Sequence, residues 1–209
     1  MLHTITHQYA MGCLLFVSLM SSSLPAFANL SATEQQTLSF IREEEKLARD
    51  VYQVLYKTYP LRPFANIAAA EQQHMDALKH LVQRYQILDP VKTEQVGQFT
   101  DNSLTQLYQA LIQRGQGSEI AALQVGALIE ETDIQDLRKA LANTQTPLLK
   151  QTYQNLLEGS YRHLQAFVRQ LKQRQQAYQA QVLTPAELKQ ILQMDSGRGH
   201  GRGQAWREQ

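Results

Sequence analysis

The chain of 209 residues holds one cysteine, ten glycines, six prolines and one tryptophan. A lone cysteine excludes an internal disulfide framework and any cysteine-built metal site, because each needs more than one sulfur. So few glycines and prolines disfavour turn-rich β architectures and favour long, uninterrupted elements. An excess of charge of one sign is also lacking: 20 Lys and Arg stand against 19 Asp and Glu. A chain so balanced offers no global field for nucleic acid or an anionic membrane, and neither is expected as a partner. What it does hold, at 43% apolar positions, is enough for one sizeable core.

The strongly apolar run is short. It spans Ala10 to Met20 and leads into Ser21-Ser22-Ser23-Leu24-Pro25-Ala26-Phe27-Ala28, too brief to cross a bilayer and closing on the A-x-A pattern that precedes signal cleavage. Residues 1–28 read as a signal peptide cut after Ala28, with His3 and His7 where lysine or arginine is usual. The expectation is an exported protein, periplasmic or secreted, with no stable membrane span after processing. Cys13 leaves with the signal, and a thiol-free mature chain suits an oxidising compartment. At the other end, Asp195 to Gln209 is rich in Gly and Arg and is expected to be disordered.

Between these ends apolar residues recur at helical spacing. Ser31-Ala32-Thr33-Glu34 is a capping box that opens a first helix running to about Lys57. Pro60 and Pro63 are expected to separate it from a second, from about Phe64–Asn66 to Tyr85. A polar stretch from Asp89 to Asn102 precedes a short helix, Ser103 to Gln113. Ser118 caps a third long helix, and Thr146-Pro147 opens a fourth, expected to continue to about Val182. Thr184-Pro185-Ala186-Glu187 caps a last short helix ending near Met194.

Few residues join the first and second long helices, or the third and fourth, so each pair is expected to be antiparallel. About thirty residues lie between the pairs, enough to return along the bundle. The expected fold class is all-α: residues 29–182 as a ferritin-like four-helix bundle of two hairpins with a long crossover, then a short helix over residues 183–194.

Charged residues stand where apolar ones belong. The first helix carries Glu43-Glu44-Glu45, and both Glu44 and Glu45 fall near the stripe of Ile41, Ala48, Val51 and Tyr52; the phase of Leu38, Ile41, Ala48, Tyr52 and Leu55 favours Glu45, while an internal repeat keeps Glu44 an equal partner. The second carries Glu71 and His74, three residues apart on one face. The third carries Glu130 and Glu131 beside Ile134 and Leu137, and the fourth carries His163 between Leu156 and Phe167. Converging buried charges are costly unless a cation compensates them. The candidate metal ligands are therefore Glu44, Glu45, Glu71, His74, Glu130, Glu131 and His163; Tyr52 reads either as a hydrogen bonder behind them or, as is commoner for an aromatic on an apolar stripe, as part of the core. Asp50 and Asp136 either orient the histidines or pair with Arg49 and Arg138.

An internal repeat supports the set. Glu44-Glu45 with Asp50 aligns on Glu130-Glu131 with Asp136, and a histidine follows in each half. The repeat breaks at Ser160, which stands where a second E-x-x-H would place its glutamate.

The segments Glu43-Glu44-Glu45-Lys46-Leu47-Ala48-Arg49-Asp50-Val51-Tyr52, Ala70-Glu71-Gln72-Gln73-His74-Met75, Ile129-Glu130-Glu131-Thr132-Asp133-Ile134 and Gly159-Ser160-Tyr161-Arg162-His163-Leu164 resemble a prokaryotic domain of unknown function in the ferritin-like, rubrerythrin-related superfamily. The resemblance runs from about Leu30 to Gln173. It implies a ferritin-like fold and, by analogy, a carboxylate-bridged di-iron or related site.

Carboxylates and imidazoles without thiolate suit iron or manganese, one ion or two, and chemistry with a small oxidant such as oxygen or peroxide. The expected function is metal-dependent oxidation, such as a ferroxidase or peroxide scavenger. The alternatives are a redox-silent metal-binding protein and a metal-free bundle with a structural or partner-binding role.

Overall fold

The computed structural model describes residues 29–194. The expected signal peptide and Gly/Arg-rich tail lie outside the described residues. Six helices and no strands are present among them: α1 Ala32–Thr58, α2 Arg62–Arg84, α3 Asn102–Gly115, α4 Glu119–Asn143, α5 Pro147–Gln173 and α6 Pro185–Gln193. No helix among the described residues is long and apolar enough to cross a membrane.

Their starts follow the sequence closely. The Ser31 hydroxyl accepts from the Glu34 amide while the Glu34 carboxylate accepts from the Ser31 amide, and Thr184 with Glu187 repeats that box at α6. Ser118 accepts from the Ala121 amide at the head of α4. Pro63 does not separate α1 from α2 as expected. It sits inside the first turn of α2, where the missing N–H costs nothing because that turn has no partner for it.

The helix ends were less legible. α5 stops at Gln173 rather than continuing to Val182. Gln175 turns left-handed at φ 58° and the Gln176 amide reaches back to the Leu171 carbonyl at 3.0 Å, which closes the helix without the usual glycine. α2 ends in the same way, with Gln86 at φ 54° and the Ile87 amide on the Val82 carbonyl at 2.9 Å. The two long hairpins thus terminate on one shared device.

α1 packs on α2, and α4 on α5, each across a three-residue link; α1 also meets α4, and α2 meets α5. α3 lies over α1 and α4, and α6 touches α5. Leu38, Ile41, Val51, Leu78, Ile134, Tyr153 and Phe167 meet in the core, with Tyr52, Phe64 and Phe167 as mutually tilted rings.

Residues 41–52 of α1 are all buried, on every face of the helix. The covering on the polar side is the stretch between α2 and α3. Arg42 forks onto Asp89 at 2.7 and 2.8 Å and also donates to the Met75 carbonyl at 2.7 Å. Glu43 accepts the amides of Thr100 and Asp101. Lys46 donates to the Gln95 carbonyl at 2.8 Å, and Asp50 accepts the Gly97 amide at 3.0 Å. Gly97 holds φ +77°, and a Cβ there would stand 2.6 Å from the Tyr108 ring, so both the turn and the close approach require glycine. These bonds fix the rotation of α1 about its own axis, and with it the direction in which Glu45 points.

Candidate metal centre

Four helices send ionisable side chains into one buried space: Glu45 from α1, Glu71 and His74 from α2, Glu130 from α4 and His163 from α5. The three-residue spacing on α2 puts Glu71 and His74 side by side, with His74 Nδ1 2.7 Å from Glu71 Oε2. The same nitrogen lies 3.1 Å from Glu45 Oε2. On the opposite side, His163 Nδ1 stands 2.9 Å from Glu71 Oε1 and 3.5 Å from Glu130 Oε2. The imidazoles stack with centroids 5.7 Å apart. Glu71 therefore serves two groups at once, one oxygen toward each: Glu45–Glu71–His74 and Glu71–Glu130–His163.

Of these contacts only the one between His74 and Glu45 is a hydrogen bond. Both Glu71 oxygens, Glu130 Oε2 and His163 Nδ1 are buried, yet none has a hydrogen-bond partner of acceptable geometry. Buried polar atoms are nearly always paired, and an unpaired carboxylate is among the costliest exceptions. Lone pairs that converge on a common space instead of on one another's protons fit a cation shared between them. The donor set also fits: two carboxylates and an imidazole on each side, with oxygen and nitrogen only, suit iron or manganese.

Electrostatics point the same way. Burial works to depress both histidines, but facing carboxylates outweigh it: Glu45 and Glu71 push His74 up to about 11, and Glu71 and Glu130 push His163 up to about 10. Burial raises Glu45 to about 8, with His74 opposing and Glu71 adding to the rise. Burial raises Glu130 as well, against the pull of His163. Glu71 goes the other way: despite its burial, the two imidazoles hold it well below the usual carboxylate range. Without a cation, protons must do the compensating, and an entering metal would displace them.

Three further residues shape the space. Tyr52, fully buried, donates to Glu130 Oε1 at 2.6 Å and so directs Glu130 Oε2 toward His163. Gly159 leaves room for His74: a Cβ there would lie 2.7 Å from both Cε1 and Nε2 of that ring. Asp133, one turn after Glu130, is 3% exposed and leaves Oδ2 without a partner. Burial raises its pKa well above the ordinary value, reinforced by Glu44, Glu45, Glu130 and Glu71.

The chain matches the model of a family described as an uncharacterized protein domain (DUF2202) over residues 34–195. The chain belongs to this family. It is 44% identical over 181 residues to the uncharacterized protein MJ0754 of Methanocaldococcus jannaschii, covering 87% of this chain and 97% of that protein. It also resembles the crystal structure of the hypothetical protein MJ0754 from Methanococcus jannaschii, with a TM-score of 0.78 over 82% of this chain and 97% of that one. All five converging side chains lie within the DUF2202 match.

Seven DUF2202 residues were candidates from sequence, and the structure brings together five. Glu44 is in neither group and lies against Asp136; burial, and then that neighbour, raise its pKa well above the ordinary value. Glu131 is buried but occupied elsewhere: its Oε2 accepts the amides of Gln181, Val182 and Leu183 at 2.9, 2.6 and 2.8 Å. The repeat as first aligned, Glu44 on Glu130, is thus one residue out of phase, since Glu45 and Glu130 are the glutamates that converge. One residue is about 100° of helix rotation, which is why adjacent glutamates face different partners. Neither aspartate contacts a histidine. Asp50 pairs with Lys46 at 2.6 Å and Arg49 at 2.8 Å, and Asp136 with Lys139 at 2.8 Å. Ser160 donates to the Leu156 carbonyl at 3.2 Å. Asp133 and Gly159 were missed. The spacing of Asp133 from Glu130 was a readable signal; nothing in the sequence announced the closeness of Gly159 to His74.

Proposed function

We propose that this DUF2202 chain is a ferritin-like four-helix bundle of α1, α2, α4 and α5 that binds a pair of iron or manganese ions and uses them in oxidation by oxygen or peroxide after export. The observation that carries the reading is Glu71, a fully enclosed carboxylate with an unpaired oxygen toward each of two histidines. Glu45 and His74 would hold one ion, Glu130 and His163 the other, with Glu71 between them. Bound iron or manganese would supply one-electron redox chemistry that no side chain here possesses. The chain's own part is to orient and to exclude water: Tyr52 fixes Glu130, Gly159 seats His74, and Phe64 and Phe167 pack on the Tyr52 ring. With no thiol left in the exported chain, electrons must come from an outside donor.

Protein purified from its native compartment is expected to carry two ions per chain by elemental analysis, with an optical change on exposure to oxygen. Glu71→Ala should weaken both ions at least about 100-fold, because both positions lose a ligand, beyond the loss typical of an outer-layer change. Two ions without an optical change would favour the redox-silent binding protein. No ion in the unmutated protein would end the metal reading.

A further inference from the structure

Beside the histidine-carboxylate cluster lies a second space that the metal reading leaves unexplained. It is a cavity of about 190 Å³ between α1, α3 and α4, walled by Leu47, Leu107, Leu111 and Ile129 and bounded by two acids, Glu44 and Asp133. For scale, an apolar cavity of about 150 Å³ takes up one benzene-sized molecule. Leu128 and Thr132 complete the lining, the Thr132 hydroxyl already donating to the Leu128 carbonyl, so the walls are mainly aliphatic, and no lysine, arginine or histidine lines the space. Leu107 is 40% exposed and marks the mouth, whereas Glu44 and Asp133 are buried. Asp133 keeps Oδ2 without a hydrogen-bond partner. A buried carboxyl group lining a mainly aliphatic chamber is the complement of a molecule with an apolar body and a donor-rich, positive head.

We infer that this chamber binds a small primary alkylammonium ion, its chain along Leu107, Leu111 and Leu47 and its head donating to Asp133 and Glu44. Asp133 and Glu44 also stand beside the metal ligands, since Asp133 senses Glu45, Glu130 and Glu71 while Glu44 adjoins Glu45 in sequence. The bound head therefore lies at the edge of the centre proposed above. The binding itself needs only the chamber and stands whether or not that centre holds metal.

Calorimetric titration of the full chain, metal-free and after loading with iron or manganese, with n-butylammonium, 1-butanol and butyrate tests this. One n-butylammonium per chain is expected in both forms, at least tenfold tighter than 1-butanol, with butyrate weakest. Asp133→Asn should cut ammonium affinity at least tenfold and leave that of 1-butanol unchanged. Leu107→Trp, a change at an exposed position, should narrow the mouth and weaken both ligands; it keeps the test open if the buried variant does not fold. Equal affinity for ammonium and alcohol, or ammonium binding untouched by Leu107→Trp, overturns the inference. So does ammonium binding that metal abolishes, which would locate the ion among the histidines and glutamates instead. Loss of metal binding with ammonium binding intact counts against the centre alone.

Discussion

Glu130 and Glu131 are neighbours on α4, both fully enclosed, each with one oxygen bound and the other without a hydrogen-bond partner, and they differ in what binds them. The bound oxygen of Glu131 accepts three backbone amides of a passing segment. Glu130 has one oxygen held by Tyr52 and the other left without a hydrogen-bond partner next to an imidazole. Glu34 and Glu43 belong with Glu131: each accepts amides from a distant loop and ties two elements together. Glu71 and Asp133 belong with Glu130. Buried acids in this protein thus come in two kinds. Those that accept amides tie distant elements together, and those that accept none face other ionisable groups and carry a cost that protons or a ligand must offset.

The comparison breaks most sharply at Glu131. Glu131→Ala removes the acceptor for three amides and is expected to lower stability by roughly 2–4 kcal/mol in urea unfolding while metal content stays unchanged. If metal falls and stability holds, the two kinds have been confused. Gly159→Ala should do the reverse: a methyl pressed against His74 should cost about 10- to 100-fold in metal affinity, read by competition with a chelator, with the helix content in circular dichroism retained.

Glu34 sharpens the amide-bound class through pH. Burial alone would raise its pKa, but bonds from Thr144, Ser31 and Thr146 hold it well below its ordinary 4.5. A depressed folded value means the stabilisation is present above 4.5 and is lost as pH falls toward the folded value. Glu34→Gln is expected to cost about 1–3 kcal/mol at pH 7, a gap that closes as the two proteins are compared below pH 4.5. A gap constant with pH would show that the charge plays no part. The smallest effect is expected at Tyr52→Phe: about 1 kcal/mol in thermal unfolding for one lost hydrogen bond, with both ions retained and at most a tenfold weaker hold on the Glu130 side.

Helix starts were readable because capping is local: Ser31, Ser118 and Thr184 each bond to an amide within three residues. The end of α5 was not, because a glutamine at positive φ leaves no signature and the segment after it is held by Glu131 from another helix. The same limit applied at the centre. Spacing alone found Glu71, His74 and His163; on α1 the apolar phase favoured Glu45 while the repeat paired Glu44 with Glu130, so the two signals left that choice open. That choice depends on the rotation of α1, which is set by bonds from Arg42, Glu43, Lys46 and Asp50 to residues 89–101, far along the chain.

The stretch after α5 is fastened in two ways: by polar contacts, with three amides on one Glu131 oxygen, Arg138 on Glu187 at 2.9 Å and Gln165 on the carbonyls of Ile191 and Met194, and by Leu183, Leu188 and Ile191, which are buried in the core. Residues 181–194 therefore act as a strap whose opening must uncover apolar side chains as well as break hydrogen bonds. Its amides should exchange with deuterium together, as one unit.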